Sequence, residues 1–220
     1  VNAHPHRSYD GKVAIVHNGI IENFSTLRAE IEAAGIELQS ETDSEVAAHL
    51  LALAYNEGET AGDFQASALK VLSRLDGAFT VLFVHDDHPG TIVAGRRSTP
   101  LIVGVGEGEM FLGSDVAAFI DRTKNAVELG QDNAVVITAD SYDIYDFAGN
   151  PVEGKPFTID WDLDAAQKDG FDSFMMKEIH EQPAAVRDTL AGHFDGRRIV
   201  LDEQRLSDED LRGVEKVFVV

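Results

Sequence analysis

The chain has 220 residues, 44% of them hydrophobic, and a formal charge of −21 from 39 acidic against 18 basic side chains. That length allows one large domain, or one domain with a piece of another, and the apolar content suffices for a sizeable core. The charge repels phosphate backbones and anionic membranes, which argues against nucleic-acid or membrane partners; no apolar run approaches bilayer length, and the absence of cysteine excludes disulfides and thiolate metal sites and fits a cytoplasmic protein.

In chain order, residues 12–17 read as a buried strand bounded by Asp10-Gly11 and Asn18-Gly19. Residues 22–34 read as an amphipathic helix with Phe24, Leu27, Ile31 and Ala34 near one face and Gly35 as its stop. A second helix is expected over 43–56 and a third over 62–75, each with an apolar stripe. The period then changes. Residues 78–85, 91–95, 101–105 and 110–113 are short β-rich runs that read as an antiparallel meander. A short helix over 114–121 is capped by Ser114 or Asp115. Residues 134–138 and 141–146 form another strand pair. From 151 to 170 the pattern weakens, with an exposed acidic stretch at 160–164 and a linker at 167–170. A helix follows over 174–191, bent where Pro183 removes an N–H, then a turn at 195–197, a short helix at 208–211 and a strand at 217–220. Helices first and antiparallel strands afterwards indicate a layered α+β domain.

The chemistry concentrates at the junction Val16-His17-Asn18-Gly19. An apolar strand that stops at Asn-Gly presents a side-chain amide beside a backbone N–H, a pair suited to a developing oxyanion. The same dipeptide is also the commonest tight turn. Asp43 opens the second helix, as an N-cap or as a carboxylate for a substrate ammonium. His4, His6 and His17 could be read as a metal cluster, but His-x-His spacing alone is a weak signal and structural imidazoles are commoner. Gly104, Gly106 and Gly108 fit a flexible hairpin better than a phosphate loop, because Glu107 lies among them. The pairs Ser114-Asp115 and His85-Asp86 do not by their spacing suggest a triad, and Arg96-Arg97 fits a surface position near a turn.

Taken in order, the segments VNAHPH (1–6), VHNGIIEN (16–23), SETDSEV (40–46) and KEIHEQP (177–183) resemble the glucosamine-6-phosphate synthase family, that is, the glutamine–fructose-6-phosphate aminotransferases. HNG alone also suits other glutamine amidotransferases with an N-terminal cysteine. The resemblance implies an Ntn-hydrolase-like four-layer α-β-β-α sandwich that lacks its N-terminal strands. It divides the chain into a partial glutaminase domain over 1–166, a linker over 167–174 and the start of a sugar-phosphate isomerase α/β domain over 175–220. It implies transfer of the glutamine amide nitrogen to fructose 6-phosphate, giving glucosamine 6-phosphate and glutamate, with no metal and no dissociable cofactor. Asn18 and Gly19 would form the oxyanion hole. Asp43 would bind the glutamine ammonium, with Gly19 and His4 beside the substrate and His17 orienting. The partners implied are L-glutamine and fructose 6-phosphate, with a homodimer formed through the isomerase domain. The family's nucleophile is an N-terminal cysteine, and its arginine loop grips the glutamine carboxylate. Neither is in this sequence, so an inactive internal fragment is expected. The alternatives are a different amidotransferase of the same class, or an acidic binding module that kept the fold without the chemistry.

Overall fold

Alternation of buried and exposed residues defines strand β2 (Val13–Ile21). Val13, Ile15, His17 and Ile21 point inward, while Val16, Asn18 and Ile20 face out. The computed structural model describes residues 2–160, 171, 173–190 and 212–214, and the chain divides into two units, Val1–Leu163 and Asp164–Val220.

In the first unit, β2 belongs to an antiparallel sheet of six strands with β1 (His6–Arg7), β3 (Gly77–His85), β4 (Ile92–Arg97), β8 (Asn133–Ile137) and β9 (Tyr142–Asp146), in the order β1-β2-β3-β4-β8-β9. A second sheet of four takes β5 (Ile102–Val105), β6 (Met110–Gly113), β7 (Asn125–Glu128) and β10 (Lys155–Thr158), in the order β10-β7-β5-β6. Helices α1 (Phe24–Ala33), α2 (Glu45–Asn56) and α3 (Phe64–Arg74) pack on one face of the first sheet, where Leu27, Ile31, Leu51 and Leu72 meet Ile15, Phe79, Val81 and Val93. The neighbouring residues on those strands turn to the other face. Ala94, Val135 and Ile137 meet Val103 and Val127 of the second sheet, which forms the core between the sheets. The outer face of the second sheet is closed by the short 3₁₀ turn Val116–Ala118 and by Phe119 and Ile120, packed on Ala126 and Ile102. Burial of alternate residues on both faces of a strand produces this layering.

Several expectations are corrected. The Asn18-Gly19 pair does not end the strand: β2 pairs with β3 continuously from Val13↔His85 to Ile21↔Gly77, with Asn18 opposite Thr80 and Gly19 opposite Phe79. Glycine permits this. Gly19 has φ +124, and a Cβ there would overlap the Ala78 carbonyl oxygen and stand 2.8 Å from Phe79 Cα. Gly77, at φ +113, is held in the same way against the Ile20 carbonyl. The strands of 78–113 are not one meander, because β3 and β4 lie in the first sheet and β5 and β6 in the second. Three strands went unread: β1 has two residues, β7 carries two apolar side chains, and β10 is exposed along its length. Arg96 and Arg97 lie within β4 and are tied internally. Arg96 donates to the carbonyls of Thr99 and Leu129. Arg97 pairs with Asp132 at 2.6 Å, and its guanidinium sits 5.4 Å from the ring centroids of both Phe79 and Phe147. The glycine-rich 104–108 stretch is a hairpin closed by Gly106 N–H to Glu109 O at 3.0 Å. Asp63 caps α3 by accepting from Ala66 N–H.

In the second unit, α4 (Phe174–Leu190) contains Pro183, and the Phe171 ring stacks on His180 at 5.1 Å. Most of the acidic stretch (161–164), the linker at 167–170, the turn at 195–197, the helix at 208–211 and the strand at 217–220 lie outside the described residues.

Gly19→Ala is expected to cost about 3 kcal/mol, from steric overlap added to an unfavourable φ. Gly11→Ala, with positive φ but open space around it, should cost only about 1 kcal/mol. Urea midpoints of the two variants check this, and equal losses would overturn it.

Candidate functional site

In an antiparallel strand every second N–H points to the same side. On β2 those of Val13, His17 and Ile21 point away from β3, and each has found a side chain. Val13 N–H donates to Ser8 Oγ at 3.0 Å, His17 N–H to His4 Nε2 at 3.3 Å, and Ile21 N–H to Asp43 Oδ2 at 2.6 Å. The N–H of Gly19 falls on the same edge by this alternation, between His4 and the Asp43 carboxylate. The continuation of β2 through Asn18-Gly19 thus lines up three donors that a turn would have scattered.

Asp43 is not the cap of α2. The helix begins at Glu45, its N-cap is Ser44, and that residue makes no side-chain capping bond. The Asp43 carboxylate instead spans to β2. Besides accepting from Ile21 it lies 4.0 Å from His17 Nδ1, and the Ser44 hydroxyl bridges His17 Nδ1 (2.8 Å) and Asp43 Oδ1 (3.5 Å). His17 is buried, and its Nε2 has no hydrogen-bond partner among the described residues. Burial pushes the His17 imidazole below its ordinary value, against the opposing pull of Asp43. The ring is therefore neutral near pH 7 and serves as a fixed dipole rather than a cation.

On the other side of β2, Asn18 is exposed and opens into a cleft of about 530 Å³. His4, His17 and Asn18 line it together with Thr80, Thr99 and Ser114. Thr80 is the cross-strand partner of Asn18, and its hydroxyl is fixed by Thr99 Oγ1 at 2.6 Å and the Pro100 carbonyl at 3.3 Å. Ser98 beside it holds a positive φ of 62, a left-handed conformation uncommon for a side-chain-bearing residue. The structure thus brings His4, His17 and Asn18 into one cleft, while Gly19 and Asp43 are not among its lining residues and lie along the strand edge. Thr80 and Thr99 were not legible as site residues, because a threonine at a strand position carries no local signal of what it faces. His4 and His6 stand edge to face at 5.2 Å. Among the described residues no group of three or more His, Cys, Asp or Glu side chains is placed to hold a metal. Ser114 and His85 are not joined in a triad: Asp115 caps the 3₁₀ turn through Ala117 N–H, and His85 accepts from Asp87 N–H.

A family model described as a glutamine amidotransferase domain matches residues 2–121. The chain is 66% identical over its whole length to the glutamine–fructose-6-phosphate aminotransferase (isomerizing) of Mycolicibacterium smegmatis, and 65% identical to that of Mycobacterium tuberculosis, covering 36% of each. The enzyme of the same name from Corynebacterium efficiens is 58% identical, with 35% of it covered. The chain thus spans little more than a third of the length of these relatives. Among solved structures, the glutamine phosphoribosylpyrophosphate amidotransferase of B. subtilis matches with a TM-score of 0.55 at 24% identity, over 68% of this chain and 33% of that one. A structure of the allosteric regulatory enzyme of purine biosynthesis matches with a TM-score of 0.54 at 23% identity, over 68% and 32%. These likenesses are of fold, and they place the two antiparallel sheets in the Ntn-type amidotransferase architecture.

His6, His17 and His85 are all buried, and burial lowers each below the ordinary imidazole value of 6.5. The unfolded chain therefore binds protons more readily, so the stability these groups contribute is complete above pH 6.5 and is lost as pH falls from there through their lowered folded values. The urea midpoint is expected to drop between pH 7.5 and pH 5.5, and an unchanged midpoint would count against neutral burial.

Proposed function

The chain belongs to the glutamine amidotransferase domain family, and from that premise we propose that it is the glutamine-binding part of a glutamine–fructose-6-phosphate aminotransferase. The whole enzyme would transfer the amide nitrogen of L-glutamine to fructose 6-phosphate, giving glucosamine 6-phosphate and glutamate. The identities of 56–66% to relatives of that name over the full chain support the assignment. We place the glutaminase part at 1–166, a linker at 167–174 and the start of a sugar-phosphate isomerase domain at 175–220. A cytoplasmic homodimer assembled through the isomerase domain completes the reading; among the described residues no helix is long and apolar enough to cross a membrane.

The observation that carries the proposal is the edge of β2. Glutamine hydrolysis by an amidotransferase passes through tetrahedral oxyanions, which need two aligned donors in a site that does not reorganise. The side-chain amide of Asn18, directed to the cleft, and the N–H of Gly19, on the adjoining edge, are one residue apart on a strand held in register by β3. Two residues further, Asp43 holds a carboxylate against the backbone with a lone pair free for an ammonium. Oxyanion donors and an ammonium acceptor within one four-residue stretch of β2 match an α-amino acid whose side-chain carbonyl is attacked. His4 fixes the strand at His17 N–H, and His17 orients Asp43 through Ser44.

The attacking group in this chemistry is a thiolate, which the 220 residues do not contain. They also lack the arginine loop expected to hold the substrate carboxylate. The chain as it stands is expected to hydrolyse no L-glutamine above background, and a clear rate of glutamate release would refute the thiol mechanism. Weak binding of L-glutamate, followed by amide chemical shifts, should persist in the wild type. It should fall about tenfold or more in Asp43→Asn, which removes a charge-assisted contact. Wild-type affinity in that variant would end the assignment of Asp43.

A further inference from the structure

The first residue of α2 is a carboxylate that the proposed reaction does not touch. Glu45 is only 3% exposed, yet among the described residues of the first unit it is the most heavily hydrogen-bonded acid. Its Oε1 accepts from Gln39 N–H at 2.8 Å and faces His49 Nε2 at 3.1 Å, and its Oε2 accepts from Ser40 N–H and Ser40 Oγ, both at 2.6 Å. Burial works to raise this carboxyl, but the bonds from Gln39, Ser40 and His49 outweigh it and pull the group down to about 2. An anion so buried is retained only when all its lone pairs are used.

The bonds also have a direction. His49 Nδ1 accepts from Tyr9 N–H at 3.0 Å, so the ring proton sits on Nε2 and is donated to Glu45. The Ser40 hydroxyl gives its proton to Glu45, so Thr42 Oγ1 donates to Ser40 Oγ at 3.0 Å, and His6 Nε2 donates to Thr42 at 3.3 Å. The carboxylate thereby accepts directly from the loop 39–44 and from His49, and is linked through His49 to the 8–12 turn and through Ser40 and Thr42 to strand β1. That loop delivers Asp43 to β2.

We propose that Glu45 is the positioning residue of the site, clamping the 39–44 loop so that the Asp43 carboxylate stands against Ile21 N–H and faces the substrate ammonium. The last clause rests on the reading of Asp43 given above; the clamp itself does not. Glu45 touches no substrate. Its removal leaves the sheets and the β2–β3 register intact while the loop, and with it Asp43, moves off the strand edge.

The test uses the 220-residue chain with Glu45→Gln, Ser40→Ala and Asp43→Asn, and backbone amide exchange read at Ile21 and at Val81 in the central strand. In Glu45→Gln the protection of Ile21 should fall about tenfold or more relative to Val81, as expected for loss of a bond to a charged group. Ser40→Ala, which keeps the charge and loses one contact, should fall by less and keeps the test readable if Glu45→Gln folds poorly. A drop shared equally by Ile21 and Val81, or no drop at either, would overturn the proposal, since general loosening moves both. L-Glutamate titration supplies the second arm. Binding weakened in both Asp43→Asn and Glu45→Gln supports positioning for the substrate. Binding weakened in Asp43→Asn but unchanged in Glu45→Gln overturns it. Binding unchanged in Asp43→Asn overturns the role of Asp43, while the exchange ratio still decides the clamp.

Discussion

The close approach of β2 and β3 at their Gly19 and Gly77 ends is the constraint on which the rest depends. Two backbones come together where neither tolerates a Cβ, because each glycine faces a carbonyl oxygen of the opposite strand. That contact keeps nine residues of β2 in register with β3. It converts an Asn-Gly sequence that elsewhere makes a turn into two more strand positions. The alternation of N–H groups then runs unbroken from Val13 to Ile21, and the edge facing His4 and Asp43 exists only because it does.

The second organising feature is how a chain of charge −21 handles carboxylates near its site. Most are solvated. Among the described residues Glu45 is the exception, buried and satisfied by donors from the 39–40 loop and from His49. Asp43 lies two residues away, and the two acids divide the work: one collects protein donors completely, the other keeps part of its surface open. In a low-dielectric setting a fully used carboxylate rigidifies what it binds, whereas a half-used one is ready for a ligand. His17 between Asp43 and His4 is pushed toward its neutral form by burial, which avoids adding a cation beside the Asp43 carboxylate.

The two-sheet arrangement follows from strands buried on both faces. In β4, Val93 belongs to the helix-side core and Ala94 to the core between sheets, and in β8 Ala134 and Val135 divide in the same way. Such strands read as continuous apolar runs, which is why their existence was legible and their sheet membership was not. Arg97 shows the reverse. A charged residue that suggested a surface turn stands 5.4 Å from the centroids of two phenylalanine rings and pairs with Asp132.

The sequence by itself determined the three amphipathic helices, the positions of most strands, the α+β class and, through motif resemblance, Asn18, Gly19, Asp43, His4 and His17 as the residues to watch. Those signals are local: apolar period, capping residues and short spacings are properties of neighbours in the chain. Tertiary structure alone decided that β2 runs through Asn18-Gly19, that Asp43 reaches Ile21 rather than capping α2, that Thr80 and Thr99 wall the cleft, and that Glu45 gathers the loop. Each of these rests on partners 5 to 72 residues apart along the chain, from Ser40 and Glu45 to Val13 and His85. No pattern within a single segment records which backbone will pack against a glycine, or which distant donor will meet a buried carboxylate.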